Sequence, residues 1–424
     1  MNLRMRKYSN EIKKEDYGKE IVVGGWIQEI RTFGSLAFII LRDREGEVQI
    51  TAFKKDEEVF KKIVSLPRES VIAAICEVRE NKQVKKNFEL IPKEVKVLGI
   101  AKAPLPMGVI DKVGVDLDTR LDARFIDLRR EETKKIFKIG ASFLKGVRRQ
   151  LEEEGFIEIH TPKIVATATE GGTALFKIKY FEKDAYLNQS PQLYKQIMMA
   201  SGFDRVYEIA PAFRAEEHNT PRHLNEFTSI DIEMAFADEE DAMGVLERVI
   251  KKGIEYVNLE CEKFLVPSIP FPRISYTECV EILKKKGITM EWGEDFSMEA
   301  NRVIGDGFEN FYFIKDWPTS IKPFYAMPYE DNEKISRSFD LMYKEKEVTS
   351  GAQRVHDHEL LKKRLAEQNL DLKDFSFYIQ AFEYGMPPHA GWGLGLERMI
   401  VVLANLDNIR EATLFPRDRR RVVP

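Results

Sequence analysis

Residues 227–236 alternate so strictly that one local structure serves them. Thr228, Ile230, Ile232, Met234 and Phe236 are spaced to point one way, and Phe227, Ser229, Asp231 and Glu233 the other. A period of two is the period of a strand. One side can pack, and the other is polar enough to line a site, because ionised groups are not buried without partners. Near the C-terminus, Gly391-Trp392-Gly393-Leu394-Gly395-Leu396-Glu397-Arg398 reads as a second strand, with alternating glycines, that enters a helix.

At 424 residues the chain exceeds one ordinary core, and 43% apolar with 32% charged residues is the balance of a globular protein, so two domains are expected. Residues 1–17 are rich in Lys, Arg and Glu without an apolar core, and no uncharged apolar run approaches the length of a bilayer span. Neither secretion nor membrane insertion is expected. Cys76, Cys261 and Cys279 are odd in number and far apart, which suggests neither a disulfide framework nor a zinc cluster and fits a reducing cytoplasm. The net charge is −4, but residues 1–102 carry 21 Lys+Arg against 16 Asp+Glu. That allows an N-terminal module that attracts polyanions.

Residues 21–53 read as short strands broken by Gly24-Gly25, Gly34 and Gly46, and residues 71–79 and 88–97 as a further pair. About five strands in that space suggest a small barrel of the oligonucleotide-binding (OB) type. Ala103-Pro104-Leu105-Pro106 and the stretch to Asp118 read as an extended linker. Ile136, Ile139, Phe143, Val147 and Leu151 then mark an amphipathic helix that stops at Gly155, followed by a strand over 156–159 that ends at Thr161-Pro162. Ser190 reads as a helix cap with Pro191 at the first helical position and Gly202 as the stop, which puts Gln192 and Lys195 on one helix face. Asp340 and Glu347 flank a hairpin turn, so their carboxylates can approach on one sheet face, either as acids paired with the lysines of the turn or, beside a triphosphate, as a pair suited to magnesium.

Arg214, in Phe213-Arg214-Ala215-Glu216, and Arg398 are the strongest chemical signal. A guanidinium is permanently charged and grips phosphate with a planar fork, so an arginine on each wall of a cleft is a clamp for a nucleoside triphosphate. The chain reads as an ATP-using enzyme.

The helix with its proline-ended strand, the segment 213–233 and the glycine-rich strand with Glu397-Arg398 follow the order of the three signature motifs of class II aminoacyl-tRNA synthetases. Gln189-Ser190-Pro191-Gln192-Leu193-Tyr194-Lys195-Gln196, Arg222-His223, Ser350-Gly351-Ala352-Gln353-Arg354-Val355-His356 and Leu414-Phe415-Pro416-Arg417 resemble the archaeal and eukaryotic aspartyl-tRNA synthetases, subclass b. The resemblance covers essentially the whole chain. It implies an α+β catalytic domain over 131–424, an antiparallel sheet flanked by helices, a hinge over 104–130 and an OB-fold anticodon-binding barrel over 1–103.

The resemblance also implies residue roles. For ATP, it places Arg214 on the α-phosphate, Glu216 near the adenine, Arg222 and His223 at the outer phosphates, and Phe227 and Arg398 on the two faces of the adenine, with Leu224, Glu347 and Gly395 lining the site. For L-aspartate, it assigns Lys195 and Arg354 to the side-chain carboxylate, and Glu170, Gln192 and Asp231 to the ammonium, with Arg214 and Ser350 nearby. Mg2+ falls to Asp340, Glu347 and Ser350. In the barrel, Phe38 resembles the aromatic that stacks on the central anticodon base, and Arg31, Gln49 and Glu89 resemble the readers of its neighbours. Trp26 and Lys85, at the surface for the last base, resemble the members strict for tRNA(Asp), with tRNA(Asn) the open second substrate. A homodimer is implied, with Pro162 near the partner's site. The alternatives are an asparaginyl enzyme, against which the basic Lys195 and Arg354 speak, and a silent RNA-binding paralogue, disfavoured by intact Arg214, Arg398, Asp340 and Glu347.

Overall fold

In the computed structural model, which describes residues 1–110, 114–166, 175–217 and 220–424, the N-terminal alternation closes on itself. Strands β1 (Glu20–Phe33), β2 (Leu36–Arg42), β3 (Glu47–Phe53), β4 (Val71–Glu80) and β5 (Phe88–Gly99) form a closed barrel in the order β1-β2-β3-β5-β4. Ile27, Ile39, Ile50, Ile72 and Leu90 fill it and are fully buried. Every strand of the barrel has a neighbour on each side, β3 and β5 meeting at the single pair Ile50–Leu90. Gly34 and Gly46 turn the chain at positive φ, but Gly24-Gly25 does not break it: β1 runs through both as one 14-residue strand. The reason is close approach, since a Cβ on Gly25 would lie 2.2 Å from the Arg42 carbonyl oxygen. The stretch after the barrel is not extended throughout. It carries helices Leu117–Asp122 and Arg124–Asp127, with Ala123 and Ile126 packed on Met107. These elements belong to one compact unit, Met1–Arg130, and the remainder to a second, Glu131–Pro424.

The second unit is built on an eight-stranded sheet. Its strands are β6 (Ile157–Glu158), β10 (Arg205–Phe213), β11 (Glu226–Ala235), β12 (Arg273–Ser275), β13 (Phe311–Lys315), β14 (Ser338–Tyr343), β15 (Lys346–Arg354) and β16 (His389–Gly395), while β7 (Ile164–Val165), β8 (Lys177–Tyr180) and β9 (Lys183–Leu187) form a smaller sheet. The large sheet runs β12-β13-β14-β15-β16-β11-β10-β6 and is antiparallel except at the pairs β12/β13 and β10/β6. Thr228, Ile230, Ile232 and Met234 lie on one side of β11 as the alternation requires, and the latter three are buried in the main core with Trp392 and Leu394. The alternation ends one residue early: Phe236 lies past the strand at φ 55° and is 76% exposed. The strand expected over 156–159 has only two residues. The helix expected to begin at Pro191 begins at Gln192, so Pro191 takes the cap position in place of Ser190.

Helices Glu131–Glu153 and Glu239–Glu260 cover the dry face of the sheet. They approach closely because glycines meet at their crossing. A Cβ on Gly146 would lie 2.6 Å from the Lys252 carbonyl oxygen, and one on Gly253 would lie 2.4 Å from the Phe143 ring. No helix among the described residues is long and apolar enough to cross a membrane. Overpacking a fixed crossing costs about 1–3 kcal/mol. Gly146→Ala is therefore expected to lower the unfolding free energy measured by urea titration by that amount. Gly244→Ala, on the partner helix Glu239–Glu260 and facing only the Arg248 guanidinium at 3.4 Å, is expected to be neutral or to stabilise by up to about 1 kcal/mol through helix propensity.

Candidate active site

The polar face of the sheet is a floor made by three adjacent strands in fixed register. Asp231 of β11 pairs with Gly393 of β16, which pairs in turn with Ser350 of β15. One step along, Glu233 pairs with Gly391 and Gly391 with Ala352. Residues directly opposite in such pairs share a face, so the glycines lie beneath the acids of β11. A Cβ on Gly391 would fall 2.4 Å from Glu233 Oε2, and one on Gly393 would fall 3.0 Å from Asp231 Oδ1. The glycines are thus the space in which two carboxylates lie flat across the sheet.

Those carboxylates are paired. Glu233, fully buried, accepts from Arg354 Nε at 2.9 Å and Nη2 at 3.3 Å and lies 3.4 Å from Lys195 Nζ. Burial would raise its pKa, but Arg354 and then Lys195 outweigh that and hold it below the usual range. Lys195 Nζ donates to Asp231 Oδ1 at 3.1 Å and to the carbonyls of Ile232 and Trp392 at 3.2 Å each. Asp231 also accepts from Ser229 Oγ at 2.5 Å. Lys195 and Arg354, expected to await a ligand carboxylate, are therefore already matched by protein acids. Only Arg354 lines the cavity, and Lys195 lies beneath it as the support of Asp231.

The cavity over this floor has a volume of about 300 Å³. Arg214, Glu216, Arg222 and His223 enter it from the β10–β11 connection, with Leu224 and Phe227 on the same wall. Asn225 holds that wall, donating from Nδ2 to the carbonyl of Arg214 at 2.8 Å while its own carbonyl accepts the Arg214 N–H at 3.0 Å. The Arg214 guanidinium lies over the Phe227 ring at 5.4 Å, a cation–π contact that holds the arginine over the floor. His223 takes a hydrogen bond of 2.7 Å with Thr220 Oγ1 through Nδ1. Its pKa is lowered first by burial, with Arg398, Arg214 and Arg222 adding to the effect.

On the opposite wall are Glu347, Ser350, Gly395 and Arg398, while Gln192 enters from its helix. Arg398 Nη1 donates to Glu347 Oε1 at 2.9 Å. Behind Arg398, Glu397 accepts the Thr228 N–H on both oxygens, and burial pushes its pKa up to about 7. In the hairpin, Asp340 pairs with Ser350 but Met342 with Glu347, so one residue of β15 is bulged out. The bulge puts Glu347 and Ser350 on the face of Asp340 although they are three apart. Lys322, absent from the sequence expectations, reaches Asp340 Oδ2 at 2.7 Å, and Asp340 Oδ1 is buried without a hydrogen bond among the described residues. Burial first, then Glu347, raises the Asp340 pKa against Lys322. Among the described residues no group of three or more His, Cys, Asp or Glu side chains is placed to hold a metal. Glu170 lies outside the described residues. The Thr161-Pro162 turn is pinned by Glu208, which accepts the Thr161 N–H and hydroxyl and Lys163 Nζ, each at 2.7 Å.

In the barrel, register collects a second group on the outer face. Arg31 pairs with Phe38, Phe38 with Thr51 and Ile40 with Gln49, and Glu89 accepts from Thr51 Oγ1. A bulge between Ile27 and Glu29 keeps Trp26 on that side, under Arg129 at 5.6 Å. Lys85 is exposed in the β4–β5 loop. Two aromatics join unannounced: Phe33, 64% exposed and 6.2 Å from the Phe38 ring, and Phe53, with Lys55 above it at 5.4 Å. Strand parity alone signals both.

Comparison with known proteins matches both units. Residues 116–419 fit the model of class II tRNA synthetases (D, K and N), and residues 21–98 that of an OB-fold nucleic acid binding domain. The chain is similar to the aspartate–tRNA(Asp) ligase of Thermoplasma volcanium, 53% identical over 99% of this chain and 100% of that one. It is equally similar to the aspartate–tRNA(Asp/Asn) ligase of Archaeoglobus fulgidus, 53% identical over the same shares. Among solved structures, asparaginyl-tRNA synthetase from Pyrococcus horikoshii with asparaginyl-adenylate superposes with a TM-score of 0.93 at 32% identity, covering 99% of each chain. Matched over most of its length and at more than half identity, the chain belongs to the class II tRNA synthetases of the D, K and N group and carries an N-terminal OB-fold nucleic acid binding domain.

Proposed function

We propose that the protein is an aspartate–tRNA ligase that joins L-aspartate to ATP as aspartyl-adenylate and then transfers the aspartyl group to the 3′ end of tRNA(Asp). The observation that carries this reading is Arg354, which spends Nε and Nη2 on Glu233 and points into the cavity beside Asp231. Its Nη1 hydrogens are donors for a side-chain carboxylate, while Asp231 and Gln192 offer acceptors to an ammonium. Asparagine presents a donor amide where the site offers donors, and such a mismatch is rejected strongly in a buried polar site.

The α-carboxylate of aspartate is ionised at pH 7, so no general base is needed. One of its oxygens bonds to the α-phosphorus of ATP as the bond to the bridging oxygen breaks and pyrophosphate leaves. Arg214 meets the charge that grows on the α-phosphate, with Arg222 and His223 placed for the outer phosphates. Phe227 and Arg398 serve the adenine faces, with Glu216 at its edge and Leu224 and Gly395 closing the walls. The 3′-hydroxyl of the terminal adenosine then attacks the carbonyl carbon, and AMP leaves. Magnesium fits this wall: Asp340 keeps an orphan buried oxygen beside Glu347 and Ser350, and a few carboxylate ligands plus phosphate are what the ion takes. It would neutralise phosphate charge there.

The aromatic and cationic face of the barrel is suited to unstacked anticodon bases, Phe38 as a stacking platform and Arg31, Gln49 and Glu89 as readers. The catalytic unit acts as a homodimer through its Glu131–Glu153 helix and β6, with a cytoplasmic location. Aspartate is expected to drive pyrophosphate exchange at least 100-fold better than asparagine. Arg354→Ala is expected to lower kcat/KM for aspartate by about 100-fold or more, because the substrate carboxylate loses its Nη1 donors and Glu233 keeps only Lys195 as a cationic partner. Arg214→Ala is expected to lower kcat by about 10²–10³-fold with the fold intact by circular dichroism. Relatives named for tRNA(Asp) and for tRNA(Asp/Asn) are equally similar, so transcripts with GUC and GUU anticodons decide the second substrate. Trp26 and Lys85 predict that GUC is charged faster, and equal rates would give a relaxed enzyme.

A further inference from the structure

Gln192 lines the cavity, and the atom it presents there is set by a chain of buried groups that ends 193 positions away from Gln196. His389 Nδ1 is 2.8 Å from the carbonyl oxygen of Pro387. A carbonyl only accepts, so Nδ1 carries the proton, and in a neutral ring Nε2 is then an acceptor. Burial pushes His389 down to about 4, so the ring is neutral at physiological pH. Gln196 Nε2, 2.9 Å from His389 Nε2, is the donor that this lone pair requires. Gln196 Oε1 consequently faces the other way and accepts from the Tyr378 hydroxyl at 3.0 Å and from Gln192 Nε2 at 2.8 Å. Gln192, having spent its amide nitrogen on Gln196, has Oε1 as its free end, with no hydrogen bond among the described residues.

We infer that His389, Gln196 and Tyr378 are positioning residues that lock the Gln192 amide with its carbonyl oxygen toward the cavity, where it receives the ammonium of the amino-acid substrate. This rests on the aspartate reading above. The chemistry asks for such a lock. Asp231 is already shared between Lys195 and Ser229, so a second acceptor is needed for three N–H groups. A freely flipping glutamine would offer the ammonium its own N–H2 half of the time. Gln196, Tyr378 and His389 are all fully buried, so water does not compete for the orientation. The lock is a relay of donor and acceptor roles that begins at a backbone carbonyl, whose role cannot invert.

The test separates ammonium recognition from general damage. Gln196→Met removes both the acceptor and the donor, whereas Gln196→Glu keeps acceptors for Gln192 and Tyr378. KM for aspartate is expected to rise about tenfold or more in Gln196→Met, the loss of one hydrogen bond to a charged group, with KM for ATP unchanged. Succinate, which keeps both carboxylates and lacks the ammonium, is expected to inhibit Gln196→Met with the same Ki as the unmodified protein. Gln196→Glu is expected to keep KM for aspartate within about threefold. A parallel rise in KM for aspartate and Ki for succinate, or no rise in either, overturns the inference. Should Gln196→Met not fold, 15N-edited NMR of histidine-labelled unmodified protein decides, since the chain has six histidines. A neutral His389 protonated on Nδ1 sustains the relay, and protonation on Nε2 ends it. If the unmodified protein shows no aspartate-dependent pyrophosphate exchange, the aspartate reading fails instead.

Discussion

The catalytic unit depends on a layer of four charges buried under the cavity: Lys195 and Arg354 against Asp231 and Glu233. An isolated ion in that setting costs several kcal/mol, and only good geometry with further hydrogen bonds offsets it. The geometry comes from the sheet. Alternate glycines in β16 remove the side chains that would occupy the acids' space, and the two carbonyls that complete the coordination of Lys195 are those of Ile232 and Trp392 on paired strands. A floor that neutralises itself has a functional consequence. The floor is not a reservoir of uncompensated positive charge, and in the proposed reading selectivity for an acid over its amide rests on which hydrogens of Arg354 remain, not on net charge.

The cavity walls obey the same rule at lower burial. Arg398 rests on Glu347, Asp340 on Lys322, and Arg214 over Phe227. In the proposed reading a phosphate, a base or a metal ion takes over from these neighbours, so binding exchanges partners instead of ordering free side chains. Such preorganisation is what electrostatic catalysis of phosphoryl chemistry requires. The bulge in β15 contributes as much as any side chain, since without it Glu347 and Ser350 would face opposite sides of the sheet.

Much of this was legible beforehand, and the parts that were not share a cause. The dry face of β11, the helix over Ile136 and Leu151, the two glycine turns of the barrel and the hairpin of Asp340 and Glu347 are local patterns, and local sterics or periodicity suffice to read them. Gly24-Gly25 misled because a glycine pair looks like a turn when its reason is an approaching carbonyl from another strand. Ser190 misled by one residue, as helix starts often do. Lys195 is instructive in another way: a buried lysine beside a site invites a ligand, and the acid next to it, Asp231, comes from a strand 36 positions away. Lys322, Phe33, Phe53 and His389 carried no motif of their own.

The amino-acid sequence by itself determined the elements, the polarity of each sheet face and the barrel, because these follow from spacing within a few residues, and it singled out two arginines that line the cavity. Only the tertiary structure decided which charge answers which. Lys195 meets Asp231 across 36 positions, Arg354 meets Glu233 across 121 and Gln196 meets His389 across 193. The Arg354 pairing is set by strand register, where a shift of a single residue would turn the partner to the opposite face, and those of Lys195 and Gln196 by the seat of the helix Gln192–Ala200 on the sheet.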